Sequence, residues 1–406
     1  MRFLGPRVTI AAARSGMPDT QPTLLDRIIH GTEKLGLGDA LLVRSPGRVN
    51  LIGEHTDYND GFVLPGAANK SVVLALAPRS GNTVRLHSID FDATCTVPLS
   101  ELAPSDMEWP NLPLGVAAQI QRSRPIEGFD LVYGADLPRG AGLSSSAAIA
   151  CGVAFGLNHL FDLGLSSDEM INISAMAEHE FLGVKCGTMD QFVNLRAKEH
   201  CLLMLDCRDR KFNYVPMSDN GARLVLCDSQ VRRRLLNSEY NKRRAQCESG
   251  VAQLSKVLPG VGSLRDVTLD ALRDHKAALP PAVFSRCLFA LEENDRVVTA
   301  AEALTLKDFA TAGRLLYASH EGLRNLYDVS CPELDTLVEG ASQISGVYGA
   351  KLMGAGFGGC TINLVEKEQL GTFMEGMAKV FRDDLKKPPK IHIATLGKRT
   401  HVVEMT

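Results

Sequence analysis

The segment GAGLSSSAA at 140–148 constrains this chain more than any other, because it sets a glycine-rich turn directly before AAIACGVAFGLNHLF at 147–161. That second stretch has no β-branched run and one glycine pair, so it reads as helix. Gly140 and Gly142 let the backbone take positive φ and come close to a ligand. The helix N-terminus then offers unpaired N–H groups and partial positive charge to phosphate. Ser144, Ser145 and Ser146 add hydroxyls. The result is a phosphate cradle on physical grounds, although alone it also fits an ordinary serine-capped helix start. It is not a Walker A loop, since no GxxxxGK[ST] occurs in the chain.

A second cluster, GAGFGGC at 354–360, contains G-x-G-x-x-G. A dinucleotide loop of that pattern must open a helix, and here β-branched Thr361 and Ile362 follow. The segment therefore reads as a tight glycine turn that admits a neighbouring segment, followed by a strand over 360–365. Further strands are expected at 41–43, 72–77, 128–131, 201–206 and 223–228. Ser166 to Glu169 forms a capping box for a helix from about 167 to 182, and Thr188 to Gln191 forms another for a short helix from Met189. Residues 230–326 read as helix-rich. Mixed elements of this kind point to an α+β chain. The expected division is a disordered or over-long leader at 1–22, an N-terminal domain at 23–205 and a C-terminal domain at 206–406. The leader carries Arg2, Arg7 and Arg14, and Met17 is an alternative start.

Composition narrows the function. With 406 residues and 45% hydrophobic content, the chain can bury a large core. A net charge of −3 argues against a nucleic-acid or membrane partner. No apolar run approaches the roughly 18 residues that span a bilayer. The ten cysteines include no CxxC pair, and Cys151, Cys227 and Cys287 sit in apolar runs, which fits a reduced, cytoplasmic protein. Structural zinc is not expected, because the His residues do not cluster with Cys at ligand spacing.

Charge is concentrated in PGRVNLIGEHTDYNDG at 46–61, with Arg48, Glu54, His55, Asp57 and Asp60 among turn formers. The loop reads as too polar for a core. Glu54, His55 and Asp57 could fork hydrogen bonds to adjacent sugar hydroxyls, or the loop is simply solvated. Asp190 falls at the second position of the short helix, where the dipole favours a carboxylate and a nearby Arg would favour it further. That suits a proton acceptor, and it also suits a plain helix-start charge. Glu178, in the middle of the preceding helix, reads as solvated, as do Arg232 to Arg234 and Lys242 to Arg244.

Taken together, GRVNLIGEHTDYNDGFVLPGA (47–67), GAGLSSSAA (140–148), CGTMDQF (186–192), SEYNKRRAQCE (238–248) and GAGFGGCTINL (354–364) closely resemble the galactokinase family of the GHMP small-molecule kinase superfamily. The motifs run in family order, and the first is specific to galactokinases and their nearest amino-sugar relatives. The resemblance implies a two-domain α+β GHMP kinase fold with the active site in the cleft between domains. It implies Asp190 as the catalytic carboxylate that accepts the C1 proton, and Arg48 as its orienting partner. Glu54, His55, Asp57, Gly187 and Tyr240 become sugar-binding positions. Gly140, Gly142, Leu143, Ser144, Ser145, Ser146 and Ala147 become positions that wrap ATP. Ser146 and Glu178 become neighbours of Mg²⁺. Trp109, the only tryptophan, falls where the family has one near the nucleotide base, although Leu112 follows Asn111 where the family often has tyrosine.

The implied reaction is in-line transfer of the γ-phosphoryl of MgATP to the C1 hydroxyl of galactose. A monomer is expected, and the sequence names no protein partner. Two rivals stay in view: a kinase for N-acetylgalactosamine or another sugar, and a non-catalytic sugar sensor. Sensors of this family have lost residues from the second motif, whereas Ser146, Ala147, Ala148 and Asp190 are all present here.

Overall fold

A computed structural model describes residues 8–9 and 22–404, apart from 139, 141, 218–220 and 232–235. Most of the expected leader at 1–22, and the Arg232 to Arg234 run, therefore lie outside the described residues. Val8–Thr9 (β1) pair antiparallel with Asp39 and Ala40.

The largest sheet is mixed, as expected for an α+β chain. Its order is β1, β2 (Asp39–Asn50), β4 (Pro65–Pro78), β7 (Phe129–Ala135), β5 (Thr83–Ser88) and β6 (Ala93–Pro98). Only β5 and β7 run parallel; the other pairings in the sheet are antiparallel. Both faces are covered, so the strands alternate between two cores. Leu41, Val43, Leu74 and Leu76 pack into the main core, while Leu42, Val73 and Ala75 pack beneath α1 (Leu24–Lys34) with Ile28 and Ile29. Thr23 and Asp26 close a capping box at the start of α1.

On the main-core side lie α2 (Asn111–Gln121), α3 (Ser145–Phe161), α4 (Ser167–Ala177) and α5 (Met189–Arg196). The glycine pair in α3 has a packing reason. A Cβ on Gly152 would stand 2.6 Å from Leu74, and one on Gly156 would stand 2.6 Å from Leu76, so the helix lies tight against β4. The small sheet of β3 (Phe62–Val63), β8 (Cys201–Asp206) and β9 (Phe212–Pro216) adjoins this half.

The second half is built on an antiparallel sheet of order β11 (Val347–Leu352), β12 (Cys360–Glu366), β10 (Ala222–Asp228) and β13 (Ile391–Ala394). One face packs α10 (Pro332–Ser342) and α11 (Leu370–Asp383) through Val225, Cys227, Leu337 and Phe373. Its other face, through Leu224, Leu226 and Ile362, shares a core with α8 (Pro281–Thr305) and α9 (Phe309–Asn325). The helices α6 (Leu236–Leu254) and α7 (Leu269–Asp274) close a further cluster with α8. The chain then returns to the first half: Leu396 bridges to Ala68, and β14 (His401–Val402) pairs with β2.

Close approach of α9 to β11 depends on two glycines. A Cβ on Gly313 would lie 2.0 Å from the Tyr348 carbonyl oxygen, and one on Gly349 would lie 2.2 Å from that of Gly313. Because the clash is with backbone, Gly313→Ala should lower stability by about 1–3 kcal/mol. A urea midpoint unchanged from wild type would contradict this contact.

Several expectations are corrected. The strand at 41–43 does not break at Arg44; it runs on to Asn50, with a bulge between Pro46 and Arg48. The helix from Ser167, capped by Ser166 and Glu169 as expected, gives way to a π-helical turn over Glu178–Leu182. Thr188 precedes α5 but makes no capping bond, because its φ of −107° and ψ of 3° are not extended and the Gln191 side chain is used elsewhere. The loop after β2 is not too polar for a core: Glu54, His55, Thr56 and Asn59 are all buried, because each has bonding partners. Arg243 is buried too, donating to the carbonyls of Tyr327 and Asp328.

Candidate active site

Between the two halves lies a cleft of about 1110 Å³. Its walls are the loop after β2, the 137–146 turn, the starts of the π turn and α5, the end of β10, Tyr240 on α6 and the 354–355 turn. The sequence elements singled out from opposite ends of the chain thus meet in one place.

The bulge in β2 turns Arg48 inward. Its Nε donates to Asp190 Oδ1 at 2.6 Å and its Nη2 to Oδ2 at 3.2 Å, a bidentate pair. The third nitrogen donates to the Gly142 carbonyl, and the Arg48 N–H donates to the Leu143 carbonyl at 2.9 Å. One side chain therefore locks both the carboxylate and the glycine turn. Gly47 makes this approach possible, since a Cβ there would lie 2.7 Å from the Leu143 oxygen. Asp190 sits second in α5, where N–H groups of the first turn face it.

The described residues of the glycine turn supply left-handed backbone of the kind that cradles anions. Gly140 and Gly142 both have φ near +78°, and Ser144 has φ +55°. Ser144 is the residue before α3 yet makes no capping bond; its hydroxyl donates to Asp190 Oδ2 instead. The first N–H groups of α3 are thus left facing the cleft without a capping side chain. Ala147 is buried.

Glu178 is buried at the start of the π turn, not solvated. Gln191 donates to it at 2.7 Å, and the Ser146 hydroxyl also bonds to it. Burial, reinforced by the Asp190 charge, pushes its carboxyl up to about 7. Asp57 is likewise pushed up, to about 6, by burial and then by Asp190, with Arg48 and the N–H groups of Tyr58 and Met189 opposing. Three carboxylates in one cleft repel one another, which a bound cation would relieve.

The remaining assigned positions divide. Gly187 packs on Asp57, where a Cβ would come within 2.2 Å of its carboxylate. Tyr240 lines the cleft, its ring 5.5 Å from that of His55. Glu54 and His55 line it too, but their polar atoms are engaged. Glu54 takes the Lys351 ammonium on one oxygen and the Gly354 N–H, at 3.1 Å, on the other. Burial pushes the Glu54 carboxyl up while Lys351 opposes it. Trp109 does not line the cleft; its carbonyl accepts from the Tyr133 hydroxyl and its ring packs on the main core. Arg139 and Ala141 lie outside the described residues.

Sequence reasoning missed Lys351, fully buried in β11, and Gln191 as the support of Glu178. A signal for Lys351 existed: a lone charge in the apolar VYGAKLM before a glycine turn requires a buried partner. The cleft is also lined by Asp228, Gln230, Lys390 and His392, which no motif marked.

Glu178 and Ser146 supply hard oxygen donors beside the phosphate nest. Among the described residues no cluster of three or more His, Cys, Asp or Glu side chains could hold a metal. A carboxylate and a hydroxyl beside a phosphate site are the donors that suit Mg²⁺, which keeps waters and binds through one or two carboxylates plus phosphate oxygens. Among the described residues no helix is long and apolar enough to cross a membrane.

The chain is similar to known proteins over most of its length. Residues 33–78 match a galactokinase galactose-binding signature, 111–197 the GHMP kinase N-terminal domain and 300–383 the GHMP kinase C-terminal domain. A galactokinase of Roseiflexus is 39% identical over 359 residues, covering 88% of this chain and 92% of that protein. The human galactokinase is 39% identical over 342 residues, covering 82% and 86%. The crystal structure of Lactococcus lactis galactokinase complexed with galactose superposes with a TM-score of 0.90 at 29% identity, covering 94% of this chain and all of that one. The Methanococcus jannaschii mevalonate kinase, at TM-score 0.61 and 19% identity, covers 88% of this chain and 99% of its own, and shares the fold.

Proposed function

The chain belongs to the galactokinase family of the GHMP kinases, and from that premise we propose that it moves the γ-phosphoryl of MgATP to the C1 hydroxyl of galactose, with Asp190 as the group that receives the hydroxyl proton. It is an ATP-dependent sugar kinase; the residue roles are the further reading. The observation that carries them is the Arg48–Asp190–Ser144 lock at the junction of the phosphate nest and the polar loop.

In this reading the nest at Gly140 to Ser146 and the start of α3 holds the phosphates through backbone N–H groups. Asp57 and Tyr240, with Gly187 giving Asp57 its room, orient the hexose from the other wall. Glu54 and His55 shape that wall through their links to the 354–355 turn. Asp190 points between the two ligands, and Arg48 keeps its oxygens fixed. The proton leaves the C1 oxygen for Asp190 as the P–O bond forms and the β–γ bridging bond breaks. Most of the acceleration then comes from holding the reactants in line, since a loose phosphoryl transition state needs little covalent help.

Mg²⁺, held by Glu178 and Ser146, would neutralise charge on the phosphate oxygens. Glu178→Gln keeps the bond geometry and removes the charge. It should weaken apparent Mg²⁺ affinity by about 10- to 100-fold, read from a Mg²⁺ titration of turnover at fixed ATP, with galactose affinity unchanged. An unaltered Mg²⁺ dependence would remove Glu178 from this role.

Product identity tests the reaction itself. Phosphorus NMR of the product from galactose and MgATP should show a single sugar phosphate whose phosphorus couples to the C1 proton. Coupling to the C6 protons, or phosphate release without a sugar ester, would refute the assignment.

A further inference from the structure

Behind the hexose wall runs a chain of buried hydrogen bonds that crosses from the second half of the molecule into the first. Cys247 on α6 contacts the Tyr327 hydroxyl at 3.2 Å. The Tyr327 hydroxyl contacts that of Tyr58 at 2.8 Å. Tyr58 contacts His55 Nδ1 at 2.8 Å, and His55 Nε2 contacts the Ala355 carbonyl at 3.2 Å. Tyr327 is fully buried, and burial holds the Cys247, Tyr327 and Tyr58 protons on their atoms.

Direction follows from valence. The Ala355 carbonyl can only accept, so His55 Nε2 carries the hydrogen. In a neutral ring Nδ1 must then accept, which makes Tyr58 its donor. Tyr58 oxygen is left to accept from Tyr327, and Tyr327 oxygen to accept from Cys247. Every hydroxyl in the chain donates once and accepts once. Protonating His55 would require each of these donors to reverse, so the chain selects one tautomer of a neutral imidazole. His55 is held there against backbone strain, with φ at +64°. Facing the relay are Asp57 from the same loop, the Tyr240 ring, Arg244 over the Tyr58 ring at 5.9 Å, Arg243 and Arg286 beside Tyr327 and Cys247, and Asn59 and Glu248 on the Cys247 side.

We propose that Tyr327 and Tyr58 are positioning residues for hexose binding: through His55 they fix the polar loop to the Ala355 turn and so set the shape of the sugar pocket. The proposal rests on the hexose-kinase reading for its kinetic consequence, but not for its structural one. Neither tyrosine hydroxyl needs to touch sugar, and the nucleotide side of the cleft lies on other elements.

The test uses the full chain labelled with ¹⁵N-histidine, with the His55 signals assigned by His55→Gln. The substrate-free wild type should show the Nε2–H tautomer at His55 with a hydrogen-bonded Nδ1. Tyr58→Phe should shift the Nδ1 signal in the direction of a weakened hydrogen bond, and Tyr327→Phe should shift it in the same direction by less. Both variants should raise KM for galactose at least fivefold, with KM for MgATP within twofold of wild type. A wild-type His55 with its proton on Nδ1, galactose KM values within twofold of wild type, or equal increases in both KM values would overturn the proposal. Tyr58→Phe stands as the second variant should Tyr327→Phe not fold. If wild type does not phosphorylate galactose, the hexose reading and the kinetic role fall together, while the tautomer signal alone decides whether the relay exists.

Discussion

Asp190→Asn should lower kcat on galactose by about 10²- to 10⁴-fold, the range that a positioned proton acceptor contributes, while galactose affinity stays within a few-fold. Asn matches Asp in size and keeps the second position of α5. Its amide oxygen can still accept from Arg48 Nε, so the turn around Gly142 stays pinned. What is lost is the second anionic oxygen, which now faces Arg48 Nη2 and the Ser144 hydroxyl. An amide NH₂ there cannot accept a proton. Isothermal titration with galactose and single-turnover kinetics separate the two effects. A variant that turns over normally but binds galactose poorly would make Asp190 a binding group and remove it from the proton step.

The second large effect lies in a residue that no motif marked. Lys351→Met should destabilise the fold by about 3–5 kcal/mol, the usual consequence of leaving one member of a buried ion pair alone. Lys351 is fully buried, and its ammonium bonds to Glu54 and, at 2.8 Å, to the Leu352 carbonyl. Burial already pushes the Glu54 carboxyl up, and Lys351 is the main force opposing that push. Without it the folded state holds a proton on Glu54 at a pH where the unfolded chain does not. The folded state then binds more protons than the unfolded one, so the deficit is largest at high pH and shrinks as pH falls toward the ordinary carboxylate range. The double variant Lys351→Met/Glu54→Gln should recover most of the loss. Urea unfolding at two pH values checks both points, and a single variant as stable as wild type would contradict the pairing.

The sequence was informative where local chemistry is repeated in the backbone. Glycines at 140 and 142 do take positive φ, the helix expected over 147–161 does form, beginning two residues earlier at Ser145, and β12 does follow the second glycine cluster. Arg48 and Asp190 do meet, 142 positions apart. What the sequence hid were long-range pairings. The buried bonding of polar residues such as Glu54 and Arg243 was not legible, because their partners, Lys351 and the 327–328 carbonyls, lie far away in the chain. Glu178 misled for the same reason, since only the fold brings Gln191 and Ser146 to it. Trp109 shows the opposite limit: a motif position alone does not say what a ring rests on, and here the half-buried ring packs against the main core.

Phosphorylation of galactose through Asp190 is what this cleft is proposed to do. A coupled ADP-release assay with MgATP tests it most directly, run with galactose, N-acetylgalactosamine, glucose and arabinose on wild type and Asp190→Asn. Wild type should turn over galactose, and that turnover should nearly vanish in the variant. No turnover on any of the sugars, with ATP and galactose still bound, would contradict it and leave a sugar sensor; turnover on N-acetylgalactosamine alone would move the specificity to an amino sugar.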